Sequence, residues 1–198
     1  MPEIVTYIDE KALGIKFFDL IANVMWRRAN YLLMESKDIE QILVLDPCAG
    51  GGKLISEMNK SHMGKAYEPN YTKFSYANYF FTQENYNINV VNKPFEFHFT
   101  APHLAEYDLI ISIPYTDRDI NATMETCKIC RKFKNYAYYI MYRSLDCLEQ
   151  GGVGVFAIPT KLMDKEKFEY EIDHITSKSK IISIEEFKDY AIIVLQKN

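Results

Sequence analysis

Val44-Leu45-Asp46-Pro47-Cys48-Ala49-Gly50-Gly51-Gly52 runs from apolar residues into an acidic one and then into a glycine-rich turn. Asp108-Leu109-Ile110-Ile111-Ser112-Ile113-Pro114-Tyr115 makes a second such passage, from an apolar run to a polar residue, then Ile-Pro and an aromatic. Short apolar runs bounded by Gly and Pro read as buried strands. Working outward, the same reading gives strands over 42–45, 65–68, 88–92, 108–113 and 153–158, with a last pair over 181–186 and 191–196. Between them, apolar spacing predicts helices over 16–36, 52–60, 70–85, 130–149 and 168–177.

Strands alternating with helices imply parallel βαβ units. Glu186-Phe187-Lys188-Asp189-Tyr190 is too short for a crossover helix, so the last two strands form an antiparallel hairpin. The expected fold is α/β: a Rossmann-like, doubly wound seven-stranded sheet, mostly parallel and closed by a C-terminal antiparallel hairpin. With 198 residues, 48% of them apolar, the chain fits a single domain, 1–198, whose N-terminal helix falls within about 1–38. Charged residues at 25% exclude wholesale disorder.

Composition narrows the partners. No apolar run reaches the roughly 18 residues of a membrane span. Met1-Pro2-Glu3-Ile4-Val5-Thr6 lacks a basic flank ahead of an apolar core, so no secretory signal is expected. Four cysteines without framework spacing fit reduced thiols in a cytoplasm. A net charge of −4 excludes a broadly basic surface. Nucleic acid, as a partner, therefore needs a local basic patch or a second subunit.

Ligands of open α/β sheets sit beyond the carboxyl ends of the strands. Gly50, Gly51 and Gly52 follow Asp46 at such an end and let the backbone approach a ligand. Glu68 stands 22 residues after Asp46, at the end of the second predicted strand, where a carboxylate accepts hydrogen bonds from both ribose hydroxyls. A phosphate-binding P-loop is excluded, because it requires Gly and Ser or Thr where Pro47 and Leu54 stand. A dinucleotide fingerprint fails at Ile55. The bland alternative is a tight turn without a ligand, although consecutive glycines weaken a fold unless backbone proximity is needed. Together the turn and Glu68 point to a nucleoside-like ligand.

These segments resemble class I S-adenosylmethionine-dependent methyltransferases, in particular the amino-methyltransferases that modify exocyclic amines of nucleobases, the N6-adenine enzymes most of all. Their glycine motif, Asp-Pro-x-x-Gly-x-Gly, is matched by Asp46 to Gly52. Their catalytic motif, Asn, Asp or Ser followed by Pro-Pro-aromatic, is matched by Ser112-Ile113-Pro114-Tyr115, and the ribosomal-RNA adenine dimethylases use Ile or Leu in the second place. Leu148-Glu149-Gln150-Gly151-Gly152-Val153-Gly154-Val155-Phe156-Ala157-Ile158-Pro159 is similar to the strand-five region, so the resemblance covers most of 40–196.

The resemblance implies S-adenosyl-L-methionine as cofactor, held by Asp46, Pro47, Cys48, Ala49, Gly50, Gly52, Glu68 and Pro69, with Asn70 nearby. Gly14-Ile15-Lys16-Phe17-Phe18-Asp19 is similar to a segment that sets an aromatic against the methionine end. Phe18 or Phe17 takes that part, or simply packs in a helix. An exocyclic amine is a poor nucleophile because its lone pair is delocalised into the ring. By the resemblance, Ser112 Oγ and the Ile113 carbonyl accept its hydrogens and favour a pyramidal nitrogen. Pro114 stiffens the corner, and Tyr115 stacks on the acceptor, worth about 1–3 kcal/mol per base. In a duplex the base must be flipped out, at a few kcal/mol. Neither a metal nor a covalent intermediate is required, and positioning supplies most of the rate. Ser in the first position is typical of N4-cytosine enzymes, which leaves the target base open.

Other signals are weaker. Asn92-Lys93-Pro94-Phe95-Glu96-Phe97 occupies the place where the cofactor's adenine is usually met, without a clean match. Cys127-Lys128-Ile129-Cys130 is half a zinc site, short of the four ligands a closed site needs, so no metal is expected. Lys128, Arg131, Lys132 and Lys134, with Arg118, form a basic cluster suited either to phosphates beside a flipped base or to a solvated helix start. Phe74, Tyr76, Tyr79, Phe80, Phe81 and Tyr86 read as packing against the sheet.

The expected function is methyl transfer from S-adenosylmethionine to an exocyclic amine of a nucleobase, adenine N6 favoured, in DNA or RNA. No separate target-recognition domain fits within this length. Recognition then comes from a partner subunit, or the substrate is a structured RNA or small molecule, or the chain does not catalyse. The alternative is a non-catalytic methyltransferase-like module that binds nucleic acid or a partner protein.

Overall fold

The computed structural model describes residues 15–36, 41–100, 106–118, 120 and 128–198. Seven strands form one sheet: β1 (Leu43–Asp46), β2 (Met63–Tyr67), β3 (Asn87–Val91), β4 (Tyr107–Ser112), β5 (Leu148–Pro159), β6 (Ser179–Phe187) and β7 (Tyr190–Lys197). Their order is β3-β2-β1-β4-β5-β7-β6. β1 to β5 are parallel, and β7 enters antiparallel between β5 and β6. Phe187 pairs with Tyr190, leaving Lys188 and Asp189 as the hairpin turn, and Lys188 takes a φ of 55°. The mostly parallel sheet with a C-terminal hairpin is as the sequence predicts.

Four helices accompany the sheet among the described residues: α1 (Ile15–Ser36), α2 (Tyr71–Gln83), α3 (Tyr136–Ser144) and α4 (Glu169–Thr176). The central strands are buried on both faces, which is why they read as unbroken apolar runs. Val44, Leu109, Ile111, Val155 and Val194 pack on one side with Ile21, Met25 and Trp26 of α1 and Ala77 and Phe81 of α2. Leu45, Ile110, Phe156, Ile158 and Leu195 pack on the other with α3, Phe168 and Ile175. Trp26 Nε1–H donates to the Leu54 carbonyl at 2.8 Å, fixing α1 against the segment that follows the glycines. Of the N-terminal helix expected within about 1–38, residues 1–14 and 37–38 lie outside the described residues. No described helix is long and apolar enough to cross a membrane.

Two helices depart from expectation. The one over 52–60 is a single 3-10 turn, Ile55–Glu57. Met58 is already extended, and Asn59 organises a turn of its own, its carbonyl accepting from His62 N–H at 3.0 Å and its Oδ1 from Ser61 N–H at 3.1 Å. Such side-chain-to-backbone bonds compete with helix. The helix over 130–149 is divided into a 3-10 turn at Cys130–Lys132, then α3, then a second 3-10 turn at Leu145–Cys147. Asn135 is extended and its Oδ1 accepts from Ala137 N–H at 2.9 Å, capping a new helix instead of continuing an old one. At the far end Leu148 pairs with Tyr107, so β5 begins earlier than predicted.

Candidate functional site

The strand order reverses between β1 and β4, and ligands of such sheets bind at that switch. Asp46 ends β1, Glu68 follows β2 and Ser112 ends β4, so register alone brings the three predicted polar residues to one sheet edge. The glycine turn fits there for two different reasons. Gly50 has a φ of +55° and open space where a Cβ would sit, so its need is conformational and its face is clear. Gly52 has a φ of +87°, and a Cβ there would lie 2.7 Å from Phe81 Cζ. Ala49 N–H donates to the Tyr67 carbonyl at 3.0 Å, tying the turn to β2.

Asp46 is fully buried. Its Oδ1 accepts from Cys48 N–H and from Ser112 Oγ–H, each at 3.0 Å, while Oδ2 has no partner. Burial pushes its pKa from 3.8 up to about 7, against the bonds from Cys48 and Ser112 and with the Glu68 charge adding to the rise. The native state therefore keeps a proton that an unfolded chain releases near pH 3.8. Stability from this group falls as pH rises from about 4 to about 7 and stays low above. Asp46→Asn has no such titration. Relative to that variant, the wild type loses about 2–3 kcal/mol between pH 5 and pH 8, read by urea unfolding at the two pH values.

Glu68 is anchored by its own N–H to the Val91 carbonyl at 3.0 Å and by Asn92 Nδ2–H, which donates to the Glu68 carbonyl at 2.9 Å. Its Oε1 accepts from Asn70 N–H at 2.7 Å, and Asn70 Oδ1 in turn caps α2 at Lys73 N–H. Its Oε2 accepts the phenol hydrogen of Tyr115. Burial and the Glu68 contact hold the Tyr115 phenol well above its ordinary pKa, so it is a firm donor. Burial likewise pushes the Cys48 thiol up, partly offset by the backbone N–H of Tyr115, which joins the two motifs directly.

A cavity of about 490 Å³ opens at this edge, walled by Cys48, Ala49, Gly50, Gly51, Ile113, Pro114 and Tyr115. Asp46, Pro47, Gly52, Glu68 and Ser112 lie buried around it rather than on its wall, and Pro69 is exposed. The Phe18 side chain lies outside the described residues. Sequence reading missed Lys53, Lys73, Pro159 and Tyr190, which also line the wall. Pro159 and Tyr190 are register partners at the ends of β5 and β7, a pairing visible only once the hairpin is placed beside β5. Asn92 and Asn135 were also missed as supports. Asn135 Nδ2–H donates to the Thr116 carbonyl at 3.1 Å, just past the Ile-Pro-Tyr corner. Its position ahead of an apolar run was the available signal.

Arg118 turns inward. Its guanidinium meets Glu96 Oε2 at 3.4 Å and the Tyr136 hydroxyl at 3.1 Å, so it is not displayed with Lys128, Arg131 and Lys132, which are exposed. Phe95 and Glu96 are buried, the latter accepting from Tyr136 as well. Cys127 lies outside the described residues, and Cys130 is buried.

No family model matches the chain, and no curated protein matches it in sequence. Solved structures do. A candidate class I S-adenosylmethionine-dependent methyltransferase from Listeria monocytogenes superposes with a TM-score of 0.70 at 15% identity, over 88% of this chain and 59% of that one. TYW2 from P. horikoshii, in complex with MeSAdo, gives 0.51 at 15% identity over 84% of this chain and 60% of that one. A candidate rRNA methylase from Clostridium thermocellum gives 0.58 at 11% identity over 88% and 97%. The chain thus spans about three fifths of the length of the first two. At these identities the likeness is one of architecture: the chain has the Rossmann-like fold of class I S-adenosylmethionine-dependent methyltransferases.

Proposed function

We propose that this chain binds S-adenosylmethionine at the carboxyl ends of β1 and β2 and methylates an exocyclic amine of a nucleobase in DNA or RNA, adenine N6 favoured. The observation that carries this reading is convergence: the glycine turn and the Ile113-Pro114-Tyr115 corner wall one cavity, with Glu68 directly behind Tyr115. The residues suit the cofactor. Gly50 presents a clear backbone face, Glu68 is a carboxylate of the kind that accepts ribose hydroxyls, and Asp46 Oδ2 is a buried polar atom without a partner. Pro69, Pro47 and Phe18 belong to the same proposed cofactor set.

Bound there, the cofactor would supply an electrophilic methyl group on a sulfonium: sulfur would keep the S–C electron pair, the amine lone pair would form the N–C bond, and the amine would release one proton to water. This chain's part is placement. Tyr115 stacks on the acceptor ring, Pro114 stiffens the corner, and the Ile113 carbonyl and Ser112 Oγ accept the amine hydrogens. Because the Ser112 proton is directed at Asp46, its oxygen meets any further partner as an acceptor, the polarity an amine N–H requires. Lys128, Arg131 and Lys132 are exposed cations suited to phosphates. Ser112 carries no exposed surface, and this favours a second reading, a methyltransferase-like module that binds nucleic acid or protein without catalysis.

Calorimetric titration with S-adenosylmethionine and S-adenosylhomocysteine, followed by a labelled-methyl screen over DNA, RNA and small amines, tests the proposal. Saturable binding with transfer to a nucleobase supports it. Binding without transfer to any acceptor moves the assignment to the second reading, and a folded protein that binds neither compound overturns both the cofactor and the reaction.

A further inference from the structure

We propose that Tyr115 competes with the cofactor's ribose for Glu68, its phenol standing on Oε2 where a ribose hydroxyl would stand, and that it must leave before the cofactor seats. This rests on the reading of Glu68 as the ribose carboxylate. Glu68 offers two oxygens. Oε1 is occupied locally by Asn70 N–H at 2.7 Å, as part of the turn that starts α2, so Oε2 is the one left for a ligand. Tyr115 takes it. A phenol and a ribose hydroxyl are chemically equivalent here, each a single O–H donor to a carboxylate. A charge-assisted bond of this kind, sheltered from water, is a strong competitor.

Burial makes the competition exclusive. A carboxylate oxygen has lone pairs to spare, and an exposed Glu68 could accept both donors at once. Glu68 is 1% exposed, however, and Tyr115 rather than Glu68 forms the cavity wall. The ring is held further by Lys73, whose Nζ lies over it at 5.6 Å from the centroid. The same tyrosine is the residue placed to stack on the acceptor, and one ring cannot do both. Seating the cofactor therefore releases Tyr115 toward the cavity it already lines, which makes cofactor binding precede acceptor binding.

The test is calorimetric titration of the intact chain and of Tyr115→Phe with S-adenosylhomocysteine. Phe keeps the ring and its packing but has no proton for Glu68. Removing a competing closed state raises apparent affinity by the reciprocal of the open fraction, about tenfold where one molecule in ten is open. Equal or weaker binding by Tyr115→Phe overturns the competition while leaving the cofactor reading intact. Absence of binding in both proteins overturns the two together. An ultraviolet difference spectrum gives an independent readout. S-adenosylhomocysteine should produce a tyrosine difference band in the wild type that Tyr115→Phe lacks, and identical spectra from the two proteins overturn the displacement.

Discussion

Glu68→Ala lowers affinity for S-adenosylhomocysteine by about 10- to 100-fold, measured by calorimetry on folded protein. One hydroxyl-to-carboxylate bond at Oε2, about 1.5–3 kcal/mol because the acceptor is charged, sets that scale. The loss is specific because the surroundings of Glu68 survive its removal. Its backbone bond to Val91 and the Asn92 amide on its carbonyl do not use the side chain. Only Asn70 N–H and the Tyr115 phenol lose a partner, and the α2 cap from Asn70 Oδ1 to Lys73 N–H, at 3.1 Å, stays in place. Thermal unfolding should therefore move by a few degrees at most, consistent with about 1 kcal/mol for a lost cap-region bond. Affinity within threefold of the wild type would remove Glu68 from the ribose site.

The strands were legible because burial on both faces leaves little room for polar residues: Val44-Leu45 and Ile110-Ile111 each send neighbours to opposite cores. The hairpin followed from the shortness of the segment before Tyr190. Helix limits were less legible, since apolar spacing reports which residues are buried and not which backbone bonds they keep. Leu54, Ile55 and Met58 are all buried at helical spacing, yet Asn59 ends the helix after one turn. Tyr136 to Tyr142 is buried on every side, so its start was marked only by Asn135. At the site, residue types and strand ends gave Asp46, Glu68 and Tyr115 as members. What sequence could not carry was which side chain faces which. The Tyr115–Glu68, Ser112–Asp46 and Arg118–Glu96 contacts join residues far apart in the chain, and each depends on register and burial.

Tyr115→Ala separates the two halves of the reaction, cutting methyl transfer by about 100-fold or more in kcat/KM while cofactor affinity rises. Loss of stacking alone removes about 1–3 kcal/mol of acceptor binding. The ring also aligns the amine with the methyl group, and misplacement by about an ångström costs a further factor of up to 100. On the cofactor side the sign is opposite, because Ala removes the phenol that competes for Glu68 Oε2. The combination distinguishes this role from mere damage. A general loosening of the corner, where the Tyr115 backbone N–H supports the Cys48 thiol, would weaken cofactor binding and transfer together. Tyr115→Phe completes the set: it should share the tighter cofactor binding yet keep most of the transfer, since the stacking face is retained. Parallel losses in both quantities for Tyr115→Ala would assign Tyr115 to the scaffold of the cavity and take it out of the acceptor site.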